Sequence, residues 1–116
     1  MSLRLTAAAE ADLAEIWNHV AGVASEAVAT GLIQRIESAC LPLRSFPKLG
    51  PGRDRLAPNL RVTFEGRYAI YYTHDEHDII VVRVLHGARD VENIARDGGF
   101  AQVRSDRPAG PTGDEE

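Results

Sequence analysis

The chain has 116 residues, a length that fits one domain able to bury a core without help from disulfides or metal. Its composition is ordinary for a globular protein, at 44% hydrophobic and 26% charged residues, and its single cysteine, Cys40, excludes a disulfide scaffold or a cysteine metal cluster. The formal net charge of −4 argues against a general nucleic-acid binder. The longest strongly apolar run, Ile79 to Val82, is too short to span a bilayer. Met1 to Leu5 carries no apolar stretch behind a basic one, so the expectation is a cytoplasmic protein without a signal peptide and without a membrane partner. Charge is unevenly spread: residues 91–116 hold three arginines against six acids, and the first ninety residues are near neutral. Twelve of the thirteen basic residues are arginine, whose planar fork holds carboxylate or phosphate with two bonds.

Leu3 and Leu5 alternate with polar neighbours and predict a short strand. Thr6 is placed to cap a helix whose apolar face is Ala9, Leu13, Ile16, Trp17 and Val20, ending at Gly22. Ser25 caps a second helix with a stripe at Val28, Leu32, Ile36, Ala39 and Leu43, which Pro42 bends or stops and Pro47 ends. The connection between them is short, so the helices form an antiparallel hairpin. Cys40 sits between apolar neighbours and reads as a small buried hydrophobe. Phe46 to Asn59 is a loop by its Pro and Gly content. The period then changes to two, through Leu60, Val62 and Phe64, a turn at Glu65-Gly66-Arg67, and Tyr68, Ile70 and Tyr72. After a second turn at Asp75 to Asp78, the β-branched run Ile79 to His86 predicts a central strand. Asp90 caps a last helical turn through Ile94.

The expected fold is therefore α+β, in the order β-α-α-β-β-β, with a helical hairpin packed on one face of a small antiparallel sheet. Residues 1–96 form the domain, and residues 97–116 are expected to be a disordered acidic tail containing Gly and Pro. The other sheet face is expected to present Arg61, Thr63, Tyr71 and Arg83, or part of that set, either to solvent or to a partner. Of Tyr68, Tyr71 and Tyr72, at least two should be core. Gly50-Pro51-Gly52 lacks the sequence and context of a phosphate loop, and His74 and His77 in a tight turn are a poor metal pair. No metal or cofactor is expected.

Several segments together resemble the RelE/ParE toxin superfamily, and its ParE-like branch in particular. Leu5-Thr6-Ala7-Ala8-Ala9-Glu10-Ala11-Asp12-Leu13-Ala14-Glu15-Ile16-Trp17 is similar to the first helix of ParE-like toxins. So are Phe46-Pro47-Lys48-Leu49-Gly50, Gly66-Arg67-Tyr68-Ala69-Ile70-Tyr71-Tyr72 and Val82-Arg83-Val84-Leu85-His86-Gly87-Ala88-Arg89-Asp90. The resemblance runs from about Leu3 to Arg96. It implies the toxin of a type II toxin–antitoxin system, inhibiting growth through a target such as DNA gyrase and neutralised by a cognate antitoxin. RelE-like relatives instead cleave mRNA on the ribosome, which needs proton transfer and cations around a phosphate. Arg61 and Arg89 match two positions of that pattern, whereas Thr63, Ala69 and Ala95 stand where it places further functional groups. The resemblance thus implies a binding protein more than an enzyme, with no sequence-specific contact to nucleic acid. The binding candidates are Arg61, Arg67, Tyr71, Arg83, His86 and Arg89. The alternatives are a RelE-like endonuclease using His86, Arg89 and Arg61, and an inactive homologue that only binds antitoxin.

Overall fold

The computed structural model describes residues 1–87 and 89–101. The elements follow the expected order: β1 (Ser2–Leu5), α1 (Ala7–Val23), α2 (Glu26–Cys40), a 3-10 turn (Leu41–Arg44), β2 (Arg61–Glu65), β3 (Tyr68–His74), β4 (Asp78–His86) and α3 (Val91–Arg96). Each helix begins at a side-chain cap. Thr6 accepts from the Ala9 N–H, Ser25 from that of Val28, and Asp90 from that of Asn93. Pro42 falls in the 3-10 turn that follows α2, where its missing N–H ends the α-helical ladder. The hairpin is tied near its tip, where the Trp17 indole N–H donates to Thr30 Oγ1 at 3.1 Å.

The four strands lie in the order β1-β4-β3-β2. The last three form the expected antiparallel meander, but β1 joins β4 in parallel, so the sheet is mixed. Thr6 makes that junction. Its N–H donates to the Val81 carbonyl at 3.0 Å and its hydroxyl to that of Val82 at 2.8 Å, in the same residue that caps α1.

Both faces of the sheet are covered. Against the hairpin lie Ile70, Tyr72, Ile79, Val81 and Val84, packed on Ala9, Ile36, Cys40 and Leu43. On the opposite face a second core gathers Leu56, Leu60, Val62, Ala69, Tyr71, Ile80, Val82, Leu85 and Phe100. This overturns the expectation of a polar second face. The Pro- and Gly-rich loop returns over that face, and α3 with the residues beyond it completes the cover, so Tyr71 is buried. A bulge permits the double packing. Tyr72 pairs with Val81 and Tyr71 with Arg83, leaving Val82 as the extra residue of β4 and changing the phase of alternation there.

The domain also extends past Arg96. Phe100 is only 3% exposed and meets the Tyr71 ring edge-on, with centroids 4.9 Å apart. The Gly99 N–H donates to Ile94 O at 2.8 Å, and the Gly99 carbonyl accepts from the Arg83 guanidinium at 3.1 Å. A single aromatic residue carries no periodicity, which is why composition alone assigns this segment to the tail. The remainder of the expected tail, 102–116, lies outside the described residues.

Candidate functional site

The middle of α1, the start of β3 and the end of β4 enclose an open cleft of ≈ 410 Å³. Helix α1 contributes Asp12, Glu15, Ile16 and His19, which share one face at spacings of three and four. The strands contribute Tyr68, Val84, Leu85 and His86, and Arg89 follows just beyond. Tyr68 and His86 are opposite each other in register, and their rings meet edge to face at 5.6 Å. The Gly87 N–H donates to the Arg67 carbonyl at 2.7 Å, and the Arg89 N–H to the His86 carbonyl at 3.0 Å. These two bonds set the β2–β3 turn and the segment after β4 side by side at the mouth of the cleft.

Asp12 anchors the wall. Its carboxylate accepts from Arg83 Nε at 2.7 Å, from the second guanidinium nitrogen at 2.9 Å, and from the Val84 N–H at 3.0 Å. The Asp12 hydrogen bond pushes the Arg83 pKa up from its ordinary value against the opposing effect of burial. β4 continues past the end of β1, so Asp12 supplies an acceptor on an edge that no strand covers there.

The six candidate binding residues separate into two groups. His86 and Arg89 line the cleft, and Arg67 stands exposed in the turn beside it. Arg61, Tyr71 and Arg83 are engaged elsewhere. Arg61 donates to the carbonyls of Gly50 at 2.7 Å and Lys48 at 3.3 Å, holding the loop against β2. Tyr71 lies under Phe100, and burial raises the pKa of its hydroxyl, with Arg53 and Arg55 pulling the other way. Arg83 is paired with Asp12. Arg61 is set against Tyr72 and His86 against Tyr68, so four residues of β3, or roughly 13 Å, separate them along the sheet. The structure therefore does not bring Arg61 together with His86 and Arg89. Ala69 is buried in the second core and Ala95 packs against it.

Glu15, His19 and Tyr68 line the cleft without having been singled out from sequence. The available signal was Asp12, Glu15 and His19 at helical spacing, a polar stripe beside the apolar face of α1 that holds Ile16. A second depression is lined by Ser45, Phe46, Pro47, Lys48, Leu49 and His74, and Lys48 and His74 are its only ionisable groups. Among the described residues, no group of three or more His, Cys, Asp or Glu is arranged to hold a metal ion, and no helix is long and apolar enough to cross a membrane.

Comparison with known proteins agrees with this architecture. The family model described as "ParE toxin of type II toxin-antitoxin system, parDE" matches residues 3–91. Toxin ParE3 of Caulobacter vibrioides is 32% identical over 76 residues, covering 66% of this chain and 76% of that toxin. A chain of the chromosomal ParDE toxin–antitoxin system from P. aeruginosa superposes with a TM-score of 0.64 at 25% identity, covering 74% of this chain and 95% of its own. The protein described here thus belongs to the ParE toxin family of type II toxin–antitoxin systems.

Proposed function

We propose that this toxin acts in the cytoplasm by binding a bacterial topoisomerase such as DNA gyrase, and that a cognate antitoxin neutralises it by direct contact. The observation that carries the binding reading is the position of Arg61. Its guanidinium is held by two loop carbonyls, and its place in the sheet lies four residues of β3, roughly 13 Å, from that of His86. Phosphodiester cleavage needs cations and proton-transfer groups converging on one phosphate. Arg61 is committed to the loop carbonyls of Lys48 and Gly50, and Ala69 and Ala95 are packing residues. The dispersal of these positions supports growth arrest by occupation of a target. Induction of the toxin without antitoxin tests this. Trapped gyrase–DNA complexes with intact transcripts are the expected result; codon-positioned cuts in ribosome-bound mRNA would reject it.

One observation favours a second reading. His19 and His86 line the same cleft together with Tyr68 and Arg89. Two imidazoles can divide the roles of base and acid in a cleavage reaction, so a ribosome-dependent endonuclease is the competing mechanism. Primer extension after induction separates the two. Under this second reading cuts appear in the wild type and disappear in both His19→Ala and His86→Ala.

A further inference from the structure

We infer that the loop along the outer edge of β2 is a phosphate-binding surface for duplex DNA, formed by Lys48, Arg53 and Arg55 over the charge of Arg61. The inference rests on the topoisomerase reading above and deepens it, by giving the toxin its own contact with the DNA that such an enzyme holds.

The fold brings these cations together. The α2–β2 connection turns back along β2: Gly52 bridges to Arg61, the Arg53 N–H donates to the Leu60 carbonyl at 2.7 Å, and the Val62 N–H to the Pro51 carbonyl at 3.1 Å. Arg61 reaches out to the Lys48 and Gly50 carbonyls through one guanidinium nitrogen, Nη1, which sets it beside Lys48. Across the bridge, Arg53 rests its own Nη1 on the Gly52 carbonyl at 2.8 Å. Arg53 and Arg55 then border one hollow of ≈ 430 Å³. Lys48 and Arg55 are exposed and Arg53 is half-buried.

Their charge is not cancelled locally. From Lys48 to Arg61 the sequence holds four cations and one acid, Asp54, although the whole chain carries −4. Asp54 is occupied by its own loop, where it accepts from the Asn59 N–H at 2.8 Å. Glu92 meets Arg55 at 3.5 Å with both side chains more than half exposed, a pair that solvent screens and a phosphate can displace. Arg4 and Arg83, by contrast, are held by buried carboxylates at 2.9 and 2.7 Å. The carbonyls that anchor Arg53 and Arg61 are neutral, so they fix the two guanidinium groups in place and leave their charge to act outward.

The chemistry around these cations selects the partner. The hollow is lined by Gly52, Arg53, Asp54 and Arg55 and has no apolar side chain. A protein partner would want an apolar or aromatic centre there, whereas a nucleic-acid backbone is met by a polar, strongly positive surface. A loop laid on a strand edge offers no helix or ribbon to enter a groove, so the contact is to phosphates and carries no sequence preference. Alone it is weak and sensitive to salt. It gains force once the topoisomerase holds toxin and DNA together, because the second contact is then intramolecular.

The test is fluorescence anisotropy of the full chain with a labelled DNA duplex, repeated over a salt series. Three phosphate contacts predict a slope of about −3 in log K against log salt, whatever the duplex sequence. Arg53→Gln/Arg55→Gln should reduce that slope by about 2 and weaken binding at low salt by about tenfold or more. Lys48→Gln should reduce it by about 1, and melting curves verify that both variants fold. Arg35→Gln, which removes an exposed charge from α2, should change binding by no more than about twofold. A wild-type chain that traps gyrase–DNA complexes yet shows no binding to the duplex at low salt overturns the inference while the topoisomerase reading stands. Failure of both measurements overturns both. Unchanged slopes in the loop variants overturn it too, as does tighter binding to a duplex RNA than to the DNA. Loop variants that keep the duplex but lose DNA-free gyrase would assign the surface to protein, again against the inference.

Discussion

The Asp12 carboxylate and the Arg83 guanidinium form a two-bond pair at 2.7 and 2.9 Å, joining α1 to the middle of β4. Both side chains are largely buried, and the same carboxylate also takes the Val84 N–H. Asp12→Ala therefore leaves a buried cation and an orphaned backbone donor, and should cost about 3–5 kcal/mol in a denaturant titration. Asp12→Ala combined with Arg83→Met should recover part of that loss, because no uncompensated charge remains. A double variant that is no more stable than Asp12→Ala would show that the pair's charge is not what matters.

Phe100 closes the second core over Tyr71. Phe100→Ala should lower stability by about 3–5 kcal/mol, as for other buried aromatic residues. A chain ending after Asp97 should lose at least as much, because the Arg83 bond to the Gly99 carbonyl goes with it. For a domain of this size that is a fall in Tm of more than about 10 °C. A truncated chain melting within a few degrees of the wild type would mean that this segment adds little to the core.

Gly50 has no room for a side chain. A Cβ there would lie 2.2 Å from the Val62 carbonyl oxygen and 3.0 Å from the Tyr72 hydroxyl. The Gly50 N–H donates to that hydroxyl at 2.9 Å, which itself donates to the Pro47 carbonyl at 2.8 Å. Gly50→Ala should destabilise by about 1–3 kcal/mol or more, since backbone must move to admit it. Tyr72→Phe should give a comparable loss through the same loop, about 1–3 kcal/mol for the acceptor and donor left unmet. Thermal denaturation of the two variants checks the size of each loss.

Cys40 is 3% exposed, and burial, with a smaller push from Glu37, raises its pKa from 9.0 to about 11. The folded protein should therefore resist a thiol reagent at pH 8 and react fully once unfolded. The raised value also fixes the sign of a pH effect. Because the native state holds the thiol proton more tightly than the unfolded chain, this contribution to stability is intact below pH 9.0 and declines as pH rises towards about 11. Cys40→Ala should flatten that decline in melting curves taken over the same range. Rapid labelling of native protein at pH 8 would contradict the burial.

Local chemistry made the elements legible from sequence. Thr6, Ser25 and Asp90 are caps because a short oxygen-bearing side chain can reach the first free N–H groups of a helix. The strands were readable because the period changes to two after Leu60, and the chain-order match to ParE-like toxins needed only those segments. His86 and Arg89 could be named because they close the last strand. What the sequence could not reveal is which polar residues were already spoken for. Arg61, Tyr71 and Arg83 look available in a list, yet their partners are loop carbonyls, Phe100 and Asp12, lying 11 to 71 residues away in the chain. The bulge at Val82, the parallel entry of β1 and the docking of Phe100 depend likewise on contacts between distant segments. Periodicity reports only a residue's immediate neighbours. The packing of helix α1 over the strand ends alone decided that Glu15, His19, Tyr68, His86 and Arg89 share one cleft.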